Sequence, residues 1–364
     1  MNNNLFLCNT VYQVLVAVWF RYSELHTEGA DIIISDHMNG YENIAKNIMK
    51  TKIFDHVYTV RSSDYVKSLT KYNNRAQRAL YKLFPETEIK NYIKLNKKYN
   101  ALFIGNVDKF SALLFASMSK KEKVSLNVFE DGVSTYSKLF ESFYSSRRPP
   151  KNKLKFFLLC KLCSIHYIYP NVKCFYVFKK AMMQWKPDCE VRQLKPIACD
   201  TEFKKIINKI FDYNNLTDDY DKKYIFFEES FYADSGYMED MLLVEKIAAI
   251  IGKENMMIKI HPRNPENRFE KSGYKTNQNT AVPWEVILLN NDFSGKVLMT
   301  IGSASIITPY ILFNKKIKSL SFINCIDEKP AVLNSPLHEC ILYFYSQCND
   351  CIEICSNIND ITKY

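Results

Sequence analysis

Short apolar runs alternate with helical stretches along this chain, and the alternation occurs twice. The first series is NLFLC (4–8), ADIIIS (30–35), HVYTV, ALFIG and VSLNVF, with helical stretches such as YENIAKNIMK between them. The second begins at YIFFEE (224–229) and continues through MMIKI and KVLMTI, with helices expected near Met238–Ile251, Trp284–Leu289 and in ITPYILF. Apolar strands separated by amphipathic helices pair in parallel and need helices on both faces of the sheet. The chain therefore reads as α/β throughout, with two lobes rather than one. At 364 residues it is long for a single core, which agrees with that division. The expected boundaries are an N-terminal lobe over 1–200, a linker over 201–222 that includes the polar NNLTDDYDKK, and a C-terminal lobe over 223–364. Between Phe140 and about residue 180 the basic and aromatic text shows no period, and the tail from Pro330 reads as mainly helical.

Composition narrows the class of partner. Apolar residues make up 47% and charged residues 24%, the make-up of a folded globular chain. A net charge of +10 favours anionic partners: nucleic acid, nucleotide, anionic sugar or membrane surface. The opening MNNNLFLCNTVYQVLVAVWF has neither a basic leader nor a small-residue cleavage site, and no apolar window reaches the roughly 18 residues of a spanning helix. A cytoplasmic protein is expected. Eleven cysteines without a secretion signal point to reduced thiols. Cys160-x-x-Cys163, and Cys348-x-x-Cys351 with Cys355 and His338, have ligand-like spacing, but the composition of a zinc ribbon is missing.

Two α/β lobes place a ligand at the carboxyl ends of their strands, in a deep inter-domain cleft. The chemistry-bearing residues fall at those ends. Strand MMIKI runs into His261-Pro262-Arg263, with Lys259 two residues back, a cationic strand end suited to phosphate. Strand KVLMTI runs into Gly302-Ser303-Ala304-Ser305 at a helix start, where hydroxyls and backbone N–H groups can receive phosphate or simply cap the helix. Between them, Pro283-Trp284-Glu285 opens a helix with a carboxylate able to hold a ribose. In the first lobe, VSLNVF breaks into Glu130-Asp131-Gly132, where glycine permits the turn that aims Asp131 outward as a general base. Asn9, Thr10 and Gln13 mark the first strand end, and Thr10-x-x-Gln13 matches a capping box. Neither GxGxxG nor GxxxxGK[ST] is present. Asp219-Tyr220-Asp221 has the spacing of a metal-binding pair, yet reads as a solvated charge run.

Taken in order, these residues resemble the bacterial sialyltransferases of the lipooligosaccharide and capsule group. Glu130-Asp131-Gly132 stands for the D/E-D-G motif, His261-Pro262 for the H-P motif, and Ser303 with Ser305 for the serine motif. LFLCNTVYQVL is similar to the group's opening, and the likeness runs from Leu5 to about Ser321. It implies a GT-B arrangement of two Rossmann-like lobes and inverting transfer of sialic acid from CMP-sialic acid, without metal or cofactor. The acceptor it implies is a galactose-type hydroxyl of a surface glycan, free or lipid-linked. It assigns Asp131 as base with Asp234 as second candidate, His261 to the departing phosphate, and Ser303 and Ser305 as phosphate ligands. Lys259 would lie against cytosine and Glu285 on the ribose, with Pro262, Arg263, Gly302, Asn9, Thr10 and Gln13 completing the donor site. A homodimer is implied, and the basic, aromatic region 146–180 is the candidate surface for acceptor or membrane. Two rivals are a CDP-glycerol-type glycerophosphotransferase and a basic nucleic-acid-binding protein, the latter suggested by RAQRALYKLF; no nucleic-acid module is present, and no nucleic-acid partner is expected.

Overall fold

The computed structural model describes residues 3–71, 83–120, 122–146, 154–162, 171–214, 220–280 and 282–364. They form two compact units, Met1–Lys195 with Lys205–Asp212, and Pro196–Lys204 with Tyr213–Tyr364.

The first unit is built on seven strands: β1 (Asn3–Cys8), β2 (Gly29–Ser35), β3 (Val57–Val60), β4 (Ala101–Ile104), β5 (Ser125–Phe129), β6 (Val172–Val177) and β7 (Glu190–Gln193). They pair in parallel in the order β3-β2-β1-β4-β5-β6-β7. The runs are continuously apolar because both faces are covered. On one face Phe6 stacks on Phe103 at 4.7 Å, with Phe20, Phe54 and Phe129 around them. Residues of the opposite parity, Leu5, Leu7, Leu102, Ile104, Leu126 and Val128, join the core on the other face. Strand β6 lies where the sequence shows no period, and β7 just beyond it. Lys173 is exposed within β6, and β7 is a polar edge strand, EVRQ, so neither carries an uninterrupted apolar run.

The second unit holds β8 (Tyr224–Phe227), β9 (Met256–Lys259), β10 (Lys275–Thr276), β11 (Val297–Thr300), β12 (Ser319–Ser321) and β13 (Ile352–Ile354). Their order is β10-β9-β8-β11-β12-β13, again parallel. Phe226, Ile258, Met299 and Leu320 pack with Leu243, Val244 and Ile247 of the Glu239–Ile251 helix. The tail is mainly helical, through Ala331–Asn334, Pro336–Gln347 and Ile358–Lys363, but between the last two it returns to the sheet as β13.

Both sheets have the Rossmann order, in which the strand order reverses beside the first strand. The reversal falls between β1 and β4 in one unit and between β8 and β11 in the other. No helix among the described residues is long and apolar enough to cross a membrane.

Candidate active site

In the first unit the ends of β1, β4 and β5 converge through side chains. Asn9 is fully engaged: its Nδ2 donates to Asn106 Oδ1 (2.9 Å) and Asp108 Oδ2 (2.6 Å), and its Oδ1 accepts from Ser35 Oγ (2.7 Å). Thr10 caps the Val11–Ser23 helix, accepting from the Gln13 N–H. The capping box closes one residue early, since Gln13 Oε1 accepts from the N–H of Asn9 (2.7 Å) rather than that of Thr10.

Asp131 follows β5 and accepts from Thr10 Oγ1 (3.3 Å), while its own N–H donates to Thr135 Oγ1 (2.7 Å). Burial raises its pKa above the usual value, and Gln13 and Thr10 pull it back down. A carboxyl with a raised pKa is suited to taking a proton near neutral pH. Gly132 has φ +65°, a conformation that glycine adopts without strain. Glu130 does a different job. Fully buried, it accepts from Tyr12 Oη (2.6 Å), Tyr136 Oη and the Phe178 N–H (2.8 Å), so it ties β5 to the end of β6. Burial lifts its pKa to about 7 against those three hydrogen bonds.

In the second unit His261 opens a turn that its carbonyl closes onto the Asn264 N–H (3.0 Å), with Pro262 at the second position. The His261 N–H donates to Glu228 Oε2 (3.0 Å), and its Nδ1 accepts from the Arg263 N–H (3.2 Å). That bond leaves Nε2 to carry the proton of the neutral ring. The pKa of His261 is pushed down to about 4 by burial and by the positive charges of Arg263 and Lys259, with Asp234 acting in the opposite sense. The imidazole is therefore neutral at pH 7 and offers Nε2–H as a donor. Lys259 is buried at the end of β9. Burial raises the pKa of Glu285, and the charge of Lys259 works against the rise, which places those two residues in one electrostatic neighbourhood.

Gly302–Ser305 follows β11 as expected, but it opens a single 3-10 turn (Ala304–Ile306) ahead of a short helix, Thr308–Phe313. Three of its backbone N–H groups already have partners. The Gly302 N–H donates to Glu229 Oε1 (2.5 Å), that of Ser303 to Thr300 Oγ1 (3.0 Å), and that of Ser305 to Ser303 Oγ (3.2 Å). Ser303 Oγ donates to Ser305 Oγ (3.0 Å), so the two hydroxyls form a pair beside the Ala304 N–H that could meet an anion. Trp284 Nε1 donates to the Ser305 carbonyl (3.0 Å) and Tyr345 Oη to that of Ser303 (2.7 Å), which fixes the loop from two further elements. A Cβ at Gly302 would collide with the buried His338 ring.

Asp234 lies on the Phe231–Ser235 helix and accepts from both terminal nitrogens of Arg263 (3.1 and 3.3 Å) and from Ser230 Oγ (2.8 Å). That pairing occupies the second candidate base and Arg263 together. Asp240 is drawn away from it into a buried cluster with Arg268 and Glu228. Asp221 pairs with Lys275 (2.6 Å), while Asp219, Cys163 and RAQRALY lie outside the described residues. Cys348, Cys351 and Cys355 are buried. Among the described residues the only three-ligand group is Glu353, Cys355 and Asp360, and its carboxylates pair with Lys318 and Lys363.

The residues that sequence reasoning passed over are mostly supports: Glu228, Glu229 and Tyr345. A visible signal existed for two of them, since YIFFEE ends a buried strand with adjacent acids.

Two parallel Rossmann-type sheets, with histidine, carboxylate and serine side chains at their strand ends, define a glycosyltransferase of the GT-B class. The chain belongs to the alpha-2,8-polysialyltransferase family, whose model matches residues 4–321. No curated protein sequence matches it. Among solved structures, the kitacinnamycin glycosyltransferase is similar at 8% identity and a TM-score of 0.50, over 98% of this chain and 86% of that one. MurG of Acinetobacter baumannii is similar at 8% identity and a TM-score of 0.48, over 99% and 86%. At such identities the likeness concerns the fold alone.

Proposed function

We propose that this protein is an inverting, metal-independent sialyltransferase that uses CMP-sialic acid. The observation that carries the donor assignment is the neutral His261 imidazole, held with Nε2–H free of the turn and next to Lys259 at the end of β9. In the reaction, an acceptor hydroxyl oxygen attacks the anomeric carbon of sialic acid, the bond from that carbon to the phosphate oxygen breaks, and the hydroxyl proton passes to Asp131. CMP leaves with its phosphate hydrogen-bonded by His261 Nε2–H and the hydroxyls of Ser303 and Ser305. Lys259 lies against the base and Glu285 on the ribose. Donors aimed at a phosphate that gains charge stabilise the transition state selectively, so no cofactor is needed for leaving-group departure. Asp131 is preferred to Asp234 as base because Asp234 is held by Arg263 and Ser230.

The family's name points to the 8-hydroxyl of a terminal sialic acid as acceptor, beside the galactose-type hydroxyl implied by the sequence motifs. Leu154, Leu158 and Leu162, exposed along the Leu154–Leu162 helix beside exposed Lys155 and Lys161, support contact of this region with a lipid-linked acceptor or membrane surface. A cytoplasmic homodimer completes the reading. Incubation with CMP-sialic acid or CDP-glycerol, with sialyl- and galactose-terminated acceptors, tests it. Sialylated product from CMP-sialic acid is expected, and turnover of CDP-glycerol alone would refute it.

A further inference from the structure

Strand β8 lies between β9 and β11. In a parallel sheet the carboxyl ends of neighbouring strands emerge side by side, so residues just past β8 can reach both the His261 turn and the Gly302 loop. Glu228 and Glu229 occupy that place. Glu228 takes its backbone position from β9, its N–H donating to the Lys259 carbonyl (3.0 Å). One of its carboxylate oxygens accepts from the His261 N–H (3.0 Å), and the other accepts from Arg268 (2.9 Å), which is buried with it. Glu229 turns to the other neighbour and accepts from the Gly302 N–H (2.5 Å) and Thr300 Oγ1 (3.0 Å). Thr300 in turn accepts from the Ser303 N–H, so one carboxylate fixes two successive residues of the serine loop.

We propose that Glu228 and Glu229 are positioning residues for the donor site, setting the His261 turn and the Ser303–Ser305 hydroxyls at the spacing that one nucleotide phosphate requires. The inference rests on reading those two loops as the CMP site. Neither carboxylate touches the donor: Glu228 acts through the backbone N–H of His261, and Glu229 through that of Gly302 and through Thr300, which holds the N–H of Ser303. Charge is secondary for Glu229, because what it supplies is an oxygen at the right reach.

The test uses the full chain with CMP as probe. Calorimetric affinity for CMP, KM for CMP-sialic acid, kcat and thermal stability are measured for wild type, Glu229→Gln, Glu229→Asp and Glu229→Ala. Glu229→Ala is expected to weaken CMP binding about tenfold or more, equivalent to about 1.4 kcal/mol, and to raise KM. Glu229→Gln keeps an acceptor oxygen at the same reach and should restore most of the affinity. Glu229→Asp keeps the charge but falls one methylene short, so it should bind CMP more weakly than Glu229→Gln. The opposite ranking, or an unchanged CMP affinity in all three beside a lowered melting temperature, overturns the inference and leaves the site reading intact. A wild-type protein that does not bind CMP overturns both. Should Glu229→Ala not fold, the ranking of Gln against Asp still decides.

Discussion

Three adjoining residues after β5 do three different things, and only Asp131 is left for the proposed proton transfer. Glu130 is consumed by two tyrosines and a backbone N–H, Gly132 supplies the turn, and Asp131 between them keeps a carboxyl whose pKa is raised by burial. Asp131→Asn should therefore lose most turnover while still binding CMP, whereas Asp234→Asn should disturb mainly Arg263. Equal losses in the two, measured by initial rates and CMP titration, would contradict the assignment of the base. At Gly132 a Cβ would meet no atom within 4 Å, so Gly132→Ala probes the backbone alone. It should cost about 1–2 kcal/mol of stability in a denaturant titration, the penalty for an L-residue in the left-handed region. His261 makes a sharper residue-scale prediction. Its pKa is depressed to about 4 in the ligand-free protein, and a bound phosphate would favour the imidazolium. NMR titration should show that pKa climbing well above 4 when CMP binds; an unmoved value would exclude contact between this imidazole and the phosphate.

At the scale of elements, the sheet order explains why short motifs scattered through the chain can form one chemical group in each unit. Every chemistry-bearing loop follows a strand, and all strands of a unit point the same way. The buried strands were legible because two covered faces demand unbroken apolar runs. β6 was not, because the exposed Lys173 interrupts its run, and β7, β10 and β12 were not, since an edge position or a two- to three-residue length removes that demand. The motif residues were legible as strand-end chemistry, but the groups that hold them were not. Glu130 is in sequence a member of the D/E-D-G motif and in structure a latch between β5 and β6. That latch has a consequence for pH. Its folded pKa of about 7 lies above the usual carboxylate value of 4.5, so the folded state holds its proton more tightly than the unfolded state. The resulting stability is fully present below about pH 4.5 and is lost as pH rises through about 7. The difference in unfolding free energy between wild type and Glu130→Gln should accordingly shrink from pH 5 to pH 8, at a slope of at most about 1.4 kcal/mol per pH unit. Urea titrations of both proteins at the two pH values measure it, and an equal gap at both would reject the latch as the titrating group.

On the scale of the whole molecule, the net charge of +10 bears on which acceptor is preferred. A galactose-terminated neutral glycan feels that charge weakly, whereas a chain of sialic acids presents one carboxylate per residue and is attracted at long range. Salt distinguishes them, because the Debye length shortens from roughly 30 Å at 0.01 M to about 8 Å at 0.15 M and screens all but the nearest pairs. If the acceptor is an oligosialic chain, its KM should rise several-fold between about 20 and 200 mM salt while kcat stays nearly constant. The KM of a neutral galactose-terminated acceptor should hardly move over the same range. Donor binding serves as the internal control: the phosphate contacts proposed for His261, Ser303 and Ser305 would be short and local, so the KM for CMP-sialic acid should change less than that of a polyanionic acceptor. A flat salt response for the oligosialic acceptor would mean that the excess positive charge is spread over solvated faces and takes no part in choosing the substrate.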